Sequence, residues 1–406
     1  CSEAVQFFRV IIEQEPGLFA PPSEYAHCLR IMGEPAKAEK LLRTLVEEQR
    51  ALGPSSQLAQ SLMTLGVVYN RTGRLDLAWQ AHEEALQIAS ETGDHVLRAR
   101  VLQNLSIVFK GRSEYDEAER LLDLAVLAYQ EAGIESLPGH LYSGRANLKM
   151  ARGELVEAEA DLGSALQAFR DVGDRRSEAM MLNNTGYLKR LQGRLEEAEA
   201  YHLRSLEIRQ EIGDRVGVGR IYSMLSSVYS GQGKYQDAIS AATSALEIAR
   251  ETSDRTFEAT SLAQLGSAER LAGNRSLSRL HYLEGKAVFT EIQDTQRALQ
   301  SDLAVARLDL EDGYLERAET TAMDILETAI EHDILEPEIE ALELLGDLAM
   351  ARGETGEATR HYTRALIRLR GTSWTSKQNT LETKLASAYM DLANLESAAP
   401  LVGALA

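Results

Sequence analysis

Glycines 33, 73, 153, 193, 233, 273, 313 and 353 stand forty residues apart, with Ser113 and Ala393 filling the same column. Five residues later runs a second column: Ala38, Ala78, Ala118, Ala158, Ala198, Ala238, Ser278, Ala318, Ala358 and Ala398. A third column of small residues lies earlier in each copy, at Gly66, Ser106, Ala146, Gly186, Ser226, Gly266, Ala306, Gly346 and Ala386. The length of 406 residues would by itself suggest two or three domains of about 150 residues each. Three columns in register replace that reading with one unit used about ten times.

Each column has a physical cause. In the copy that begins near Leu58, Leu62, Leu65 and Tyr69 recur at the spacing of one buried helical face. Gly73 ends that helix, because glycine enters the left-handed backbone region most easily. A second helix carries Leu75, Ala78, Ala85 and Ile88 on one face, and Gly93-Asp94 stops it and caps the next. Gly66 and Ala78 are small where two helices cross closely. Two helices alone cannot bury their apolar faces, but stacked copies can, each touching only its neighbours. The stretch Glu131–His140 is the weakest point of the register, with Ile134 in place of the capping Asp and Pro138 constraining the next helix start.

The pattern resembles the tetratricopeptide repeat, whose small, alanine and aromatic positions fall on Gly66, Tyr69, Gly73, Ala78 and Ala85. Its forty-residue period is similar to the long-repeat branch seen in kinesin light chains and in the sensor arrays of bacterial STAND-type and transcriptional regulators. The resemblance implies an all-α fold, a right-handed superhelix of about ten helix-turn-helix repeats with the first helix of each pair (helix A) on the concave side. It predicts one solenoid over 1–406. Residues 1–15 read as the second helix of a truncated preceding repeat, 24–391 as the main array, and 395–406 as the start of a truncated last helix. The chain then reads as a segment of a longer protein.

Composition narrows the function classes. Net charge is −19, from 43 basic and 62 acidic side chains, which argues against nucleic-acid or anionic-membrane binding. No apolar run approaches the roughly 18 residues a membrane span needs. The two cysteines, Cys1 and Cys28, have no metal-ligand spacing, which predicts a reducing, cytoplasmic setting. With 34 Arg against 9 Lys, the chain reads as the product of a GC-rich bacterial genome. No catalytic or nucleotide-binding motif is present, so neither catalysis nor a cofactor or metal is expected. Asp214–Arg220 holds two glycines without the third of a phosphate-binding loop, and reads as an inter-repeat turn. His82 and His202 share a column that the family fills with an aromatic residue, so they read as packed side chains. Glu83-Glu84 and Glu196-Glu197 read as a solvated face.

What remains is the concave face. Its side chains fall six and three residues before the small column and one and four after it. Seven of these positions are basic: Arg30, Arg100, Lys110, Arg190, Arg220, Arg270 and Arg307. Three are acidic, Glu340, Glu343 and Asp347, all in one late repeat. The candidate binding residues are Arg100, Gln103, Asn104, Lys110, Asn147, Asn183, Asn184, Tyr187, Arg190, Arg220, Arg270 and Arg307. Guanidinium groups grip carboxylates with paired hydrogen bonds, and side-chain amides both donate to and accept from a peptide backbone. By resemblance, Asn104, Asn183 and Asn184 match asparagines with which family members hold an extended peptide. These residues predict a protein or peptide ligand that is extended and acidic, from a partner protein or another domain of the same chain. The chain is then a non-catalytic sensor or interaction segment of a larger bacterial regulator. Two alternatives are a small-molecule-sensing repeat domain of a transcription activator and a passive scaffold. In the bland reading, some of these arginines instead pair with helix-B carboxylates of the adjacent repeat.

Overall fold

A computed structural model describes residues 35–370, 372 and 374–403. The expected helix over 1–15, the first helix of the first repeat, Arg30 and both cysteines lie outside the described residues. The described helices fall into two compact units, one ending at Arg194 and one starting at Leu195.

In the first unit eight helices follow one another: α1 (Pro35–Ala51), α2 (Ser56–Arg71), α3 (Leu75–Glu91), α4 (His95–Gly111), α5 (Tyr115–Glu131), α6 (Gly139–Arg152), α7 (Leu155–Asp171) and α8 (Arg175–Leu191). Each packs against the next, and α2, α4 and α6 also touch one another in turn. These are the helices A, so their side of the stack is the tighter, inner one. The second unit repeats the pattern with α9 (Leu195–Glu211), α10 (Arg215–Gly231), α11 (Tyr235–Glu251), α12 (Arg255–Leu271), α13 (Arg275–Glu291), α14 (Thr295–Glu311), α15 (Leu315–Glu331), α16 (Leu335–Ala351), α17 (Thr355–Leu369) and α18 (Thr375–Gly403). There α10 touches α12 and α14 touches α16. No strand occurs among the described residues. The all-α array of antiparallel hairpins therefore stands, with eighteen helices described.

The forty-residue register is imposed on the backbone even where glycine is missing. Gly73, Gly153 and Gly193 have positive φ, and so do Ser113, Ser253, Gln293 and Asp333, at 52–63°. Caps follow the same register. Asp94, Asp174, Asp214, Asp254 and Asp294 each accept a bond from the backbone N–H three residues on, at 2.9–3.2 Å. The glycines of Asp214–Arg220 are thus in the first two turns of α10, not in a turn between repeats. Gly219 lies where an added Cβ would come within 2.8 Å of Ile248.

Two departures from the register stand out. α18 runs through Ala393 without a break, so no separate helix begins near 395. The column there holds alanine, which does not favour the left-handed turn that glycine supplies elsewhere. The second departure is α6, which starts at Gly139, whereas α4 and α8 start at 95 and 175. The register puts its start at 135. About one helical turn is replaced by an irregular connection, and Pro138, with φ −64° and ψ 145°, is extended there. α5 accordingly lies against α6 less extensively than any other consecutive pair in the first unit.

Candidate functional site

The side chains that face inward from α4 follow from helical period: Arg100, Gln103, Asn104, Ile107 and Lys110 recur at three and four residues. The equivalent row on α6, forty residues on, is His140, Ser143, Gly144 and Asn147. Between the two rows lies a cavity of about 640 Å³. Met63 of α2, Tyr129 of α5, and Ile134 and Pro138 of the irregular connection also line it. Five predicted residues, Arg100, Gln103, Asn104, Lys110 and Asn147, meet in this one site.

Part of its polar lining is hydrogen-bonded within the fold, always to neutral acceptors. The Tyr129 hydroxyl, on a side chain only 3% exposed, donates to Gln103 Oε1 at 3.1 Å. That bond fixes the Gln103 amide and turns its NH₂ group free. Ser106 Oγ donates to the Gln103 carbonyl at 2.7 Å. Arg100 Nη1 reaches Gln60 Oε1 at 3.3 Å, a neutral acceptor. No Asp or Glu lines the cavity. Burial alone pulls the Lys110 ammonium below its ordinary pKa, as for a cation with no carboxylate beside it. Burial also lowers the His140 imidazole, helped by the Arg100 charge and opposed by Asp174. Its ring meets Phe169 edge-on at 4.9 Å. The Tyr129 phenol is raised by burial, against the pull of Arg100.

The other predicted residues are elsewhere. Asn183, Asn184, Tyr187 and Arg190 share α8, where the Arg190 guanidinium stacks over the Tyr187 ring at 5.1 Å. Arg220, Arg270 and Arg307 belong to α10, α12 and α14 of the second unit. Arg220 is exposed. Arg270 and Arg307 are not free cations: Arg270 pairs with Glu311 at 3.1 Å, and Arg307 approaches Glu343 at 3.6 Å and Glu340 at 3.9 Å. Here the bland reading of arginines paired between repeats applies, with one change. The partners are helix-A carboxylates one repeat on, because consecutive helices A are neighbours. The late acidic cluster is also neutralised, since Lys384 of α18 bonds Glu343 at 2.8 Å and Asp347 at 2.7 Å, and Lys377 bonds Glu343.

Sequence reasoning missed Tyr129, Ile134 and Pro138. Tyr129 comes from a helix B, and the other two from a connection that the periodicity leaves undefined. Helix-B carboxylates also carry ion pairs between repeats that the sequence does not show. Glu84 forms a two-point bridge to Arg50 of the previous repeat, at 2.7 and 2.9 Å. Glu119 and Glu319 hold Arg152 and Arg352 of the following helix A, each at 2.6 Å. His82 is packed as expected, 1% exposed. Among the described residues no group of three or more His, Cys, Asp or Glu could hold a metal ion, and no helix is long and apolar enough to cross a membrane.

Comparison with known proteins bears on the fold. Three solved structures are similar in shape at low identity. A signal transduction ATPase with numerous domains (STAND) that carries a tetratricopeptide repeat sensor, from Pyrococcus horikoshii, aligns with a TM-score of 0.57 and 16% identity. The alignment covers 86% of this chain and 55% of that one. A Rap protein complexed with competence and sporulation factor gives 0.52 and 14%, over 84% of this chain and 99% of the other. The apo form of RapI gives 0.57 and 13%, over 83% and 99%. No curated protein matches in sequence. The family model described as tetratricopeptide repeat matches residues 19–89, 57–131, 139–211, 177–251 and 217–291, more than half of the chain, and passes over 132–138, the irregular connection at the cavity. The chain belongs to the tetratricopeptide repeat family.

Proposed function

We propose that the chain is a protein-binding module of a larger bacterial regulator, and that its first unit holds an extended acidic segment against α4 and α6. The observation that carries this reading is the α4–α6 lining: Arg100, Lys110 and the amides of Gln103, Asn104 and Asn147 converge on one space with no carboxylate among them. The chain as a whole is strongly acidic, so a carboxylate-free, cation-bearing surface is where an acidic ligand meets least repulsion. The segment comes from a partner protein or from another domain of the same polypeptide. Membership of the tetratricopeptide family and the likeness to a Rap protein holding a bound factor support a binding role without naming the ligand.

The test is a titration of the protein with a labelled, extended glutamate-rich peptide and with a lysine-rich peptide of equal length, at rising salt. The reading expects the acidic peptide alone to bind, and its affinity to fall as salt screens the attraction. Equal binding of the two peptides, or of neither, contradicts it.

A further inference from the structure

The cavity between α4 and α6 has a shape that an extended segment does not by itself require. Three features make it. α6 lacks its first turn, and Ile134 and Pro138 of the irregular connection that replaces it line the cavity. Gly144 stands on α6 where the register places Asn104 on α4, and so contributes no side chain. Packing does not force this glycine: an added Cβ would meet only Leu122, at an ordinary 3.5 Å. Finally, Tyr129 and Gln103, which both line the space, are bonded to each other and so fixed in place.

The resulting volume, about 640 Å³, lies within the roughly 300–1,000 Å³ typical of small-molecule pockets and exceeds what one side chain of a peptide fills. Its walls have two characters. Met63, Val96, Ile107, Ile134, Pro138 and Leu148 are apolar. Arg100, Lys110, Asn104, Asn147 and the Ser143 hydroxyl, on a side chain 7% exposed, are polar, and no carboxylate answers them there. A half-buried ammonium beside apolar walls is satisfied best by an anion that brings its own apolar surface.

We infer that this cavity is a binding site for a free small organic anion with an apolar body, of the size of an aryl or medium-chain acyl carboxylate or sulfonate. Its anionic group sits at Lys110, and its body lies along the apolar wall formed by Ile107, one turn away, and Leu148. The inference rests on the same anion-seeking α4–α6 face as the proposed function, but not on that ligand being a peptide. Because both ligands need Lys110, they exclude one another.

The test uses the whole protein and the probe anilinonaphthalene sulfonate, with uncharged phenylnaphthylamine as the same body without the anion. Binding is read by calorimetry as well as fluorescence. The expected result is saturable binding of one sulfonate per chain, at least about tenfold tighter than the neutral probe. Lys110→Met should weaken the sulfonate by about tenfold or more. Gly144→Leu fills the cavity from a helical position where glycine is the poorer helix former, so the fold is retained while the probe is excluded. Absence of saturable binding, or unchanged affinity in Gly144→Leu, overturns the inference. The acidic peptide separates the two readings. If it binds wild type and Gly144→Leu alike while the sulfonate binds neither, the cavity proposal falls and the peptide reading stands. If the sulfonate binds and is lost in Gly144→Leu while the peptide binds neither protein, the cavity proposal stands and the peptide reading falls.

Discussion

Gly66 and His82 lie so close across the α2–α3 hairpin that a Cβ on residue 66 would come within 2.5 Å of the imidazole Cε1. The pairing recurs. Gly266 faces Tyr282, where a Cβ would sit 3.1 Å from the ring, and Gly346 faces Tyr362 still more closely. Where the first position is Ser106 or Ala146, the second is Leu122 or Leu162. A ring in helix B is therefore matched by the absence of a side chain in helix A of the same hairpin.

Gly66→Ala should destabilise the protein by about 1–3 kcal/mol through overpacking against the imidazole. His82→Leu in the same chain should recover part of that loss, because the pair then resembles Ser106 with Leu122. Urea denaturation of the two single variants and the double variant measures the coupling. Strictly additive losses would show that the ring does not dictate the glycine.

Burial holds the His82 imidazole at a pKa of about 4, against an ordinary 6.5. The unfolded chain accepts the proton first, so this contribution to stability is complete above pH 6.5. It declines as the pH falls from 6.5 toward 4, by on the order of 3 kcal/mol. His82→Tyr keeps a ring opposite Gly66, as Tyr282 and Tyr362 do in their hairpins, and should remove that part of the acid sensitivity. The measurement is the urea midpoint of both proteins across this pH range. Identical pH profiles would contradict the assignment.

Gln293 has φ of 60°, in the left-handed region that disfavours a Cβ by roughly 1–2 kcal/mol. Gln293→Gly should raise stability by about 1 kcal/mol once the greater freedom of glycine in the unfolded chain is counted. The same change at Gln300, in the second turn of α14, should instead lower it by at least roughly the helix penalty of glycine. Thermal melting of the two variants checks the opposite signs.

Much of the fold was legible in the sequence, because repeated copies display their constraints in columns. Gly73, Ala78 and Asp94 each mark a turn, a close packing position or a cap, and each does so in the structure. The Gly66–His82 pairing was also visible as two columns sixteen residues apart, but only to a reading that compares columns with one another. The site was legible in part. Helical period places Arg100, Gln103, Asn104, Lys110 and Asn147 on one face, and they do share a cavity. Charge at an inner position does not say whether it is already paired, and Arg270 and Arg307 are. That depends on Glu311, Glu340 and Glu343 one repeat on. The cavity itself arises where α6 breaks the period, and a periodic reading marks such a place only as a weak point.

Under the proposed function, Arg100 and Lys110 present an anion-seeking face to an acidic segment. The most direct measurement is the affinity of Arg100→Glu/Lys110→Glu for a labelled glutamate-rich peptide, by fluorescence anisotropy at low salt, beside the thermal melting of the same protein. Neither cation has a carboxylate partner in the cavity lining, so reversing both should leave melting nearly unchanged. Peptide binding should fall by more than about tenfold, since two attractions become two repulsions. Binding at the wild-type affinity by the folded double variant would contradict it.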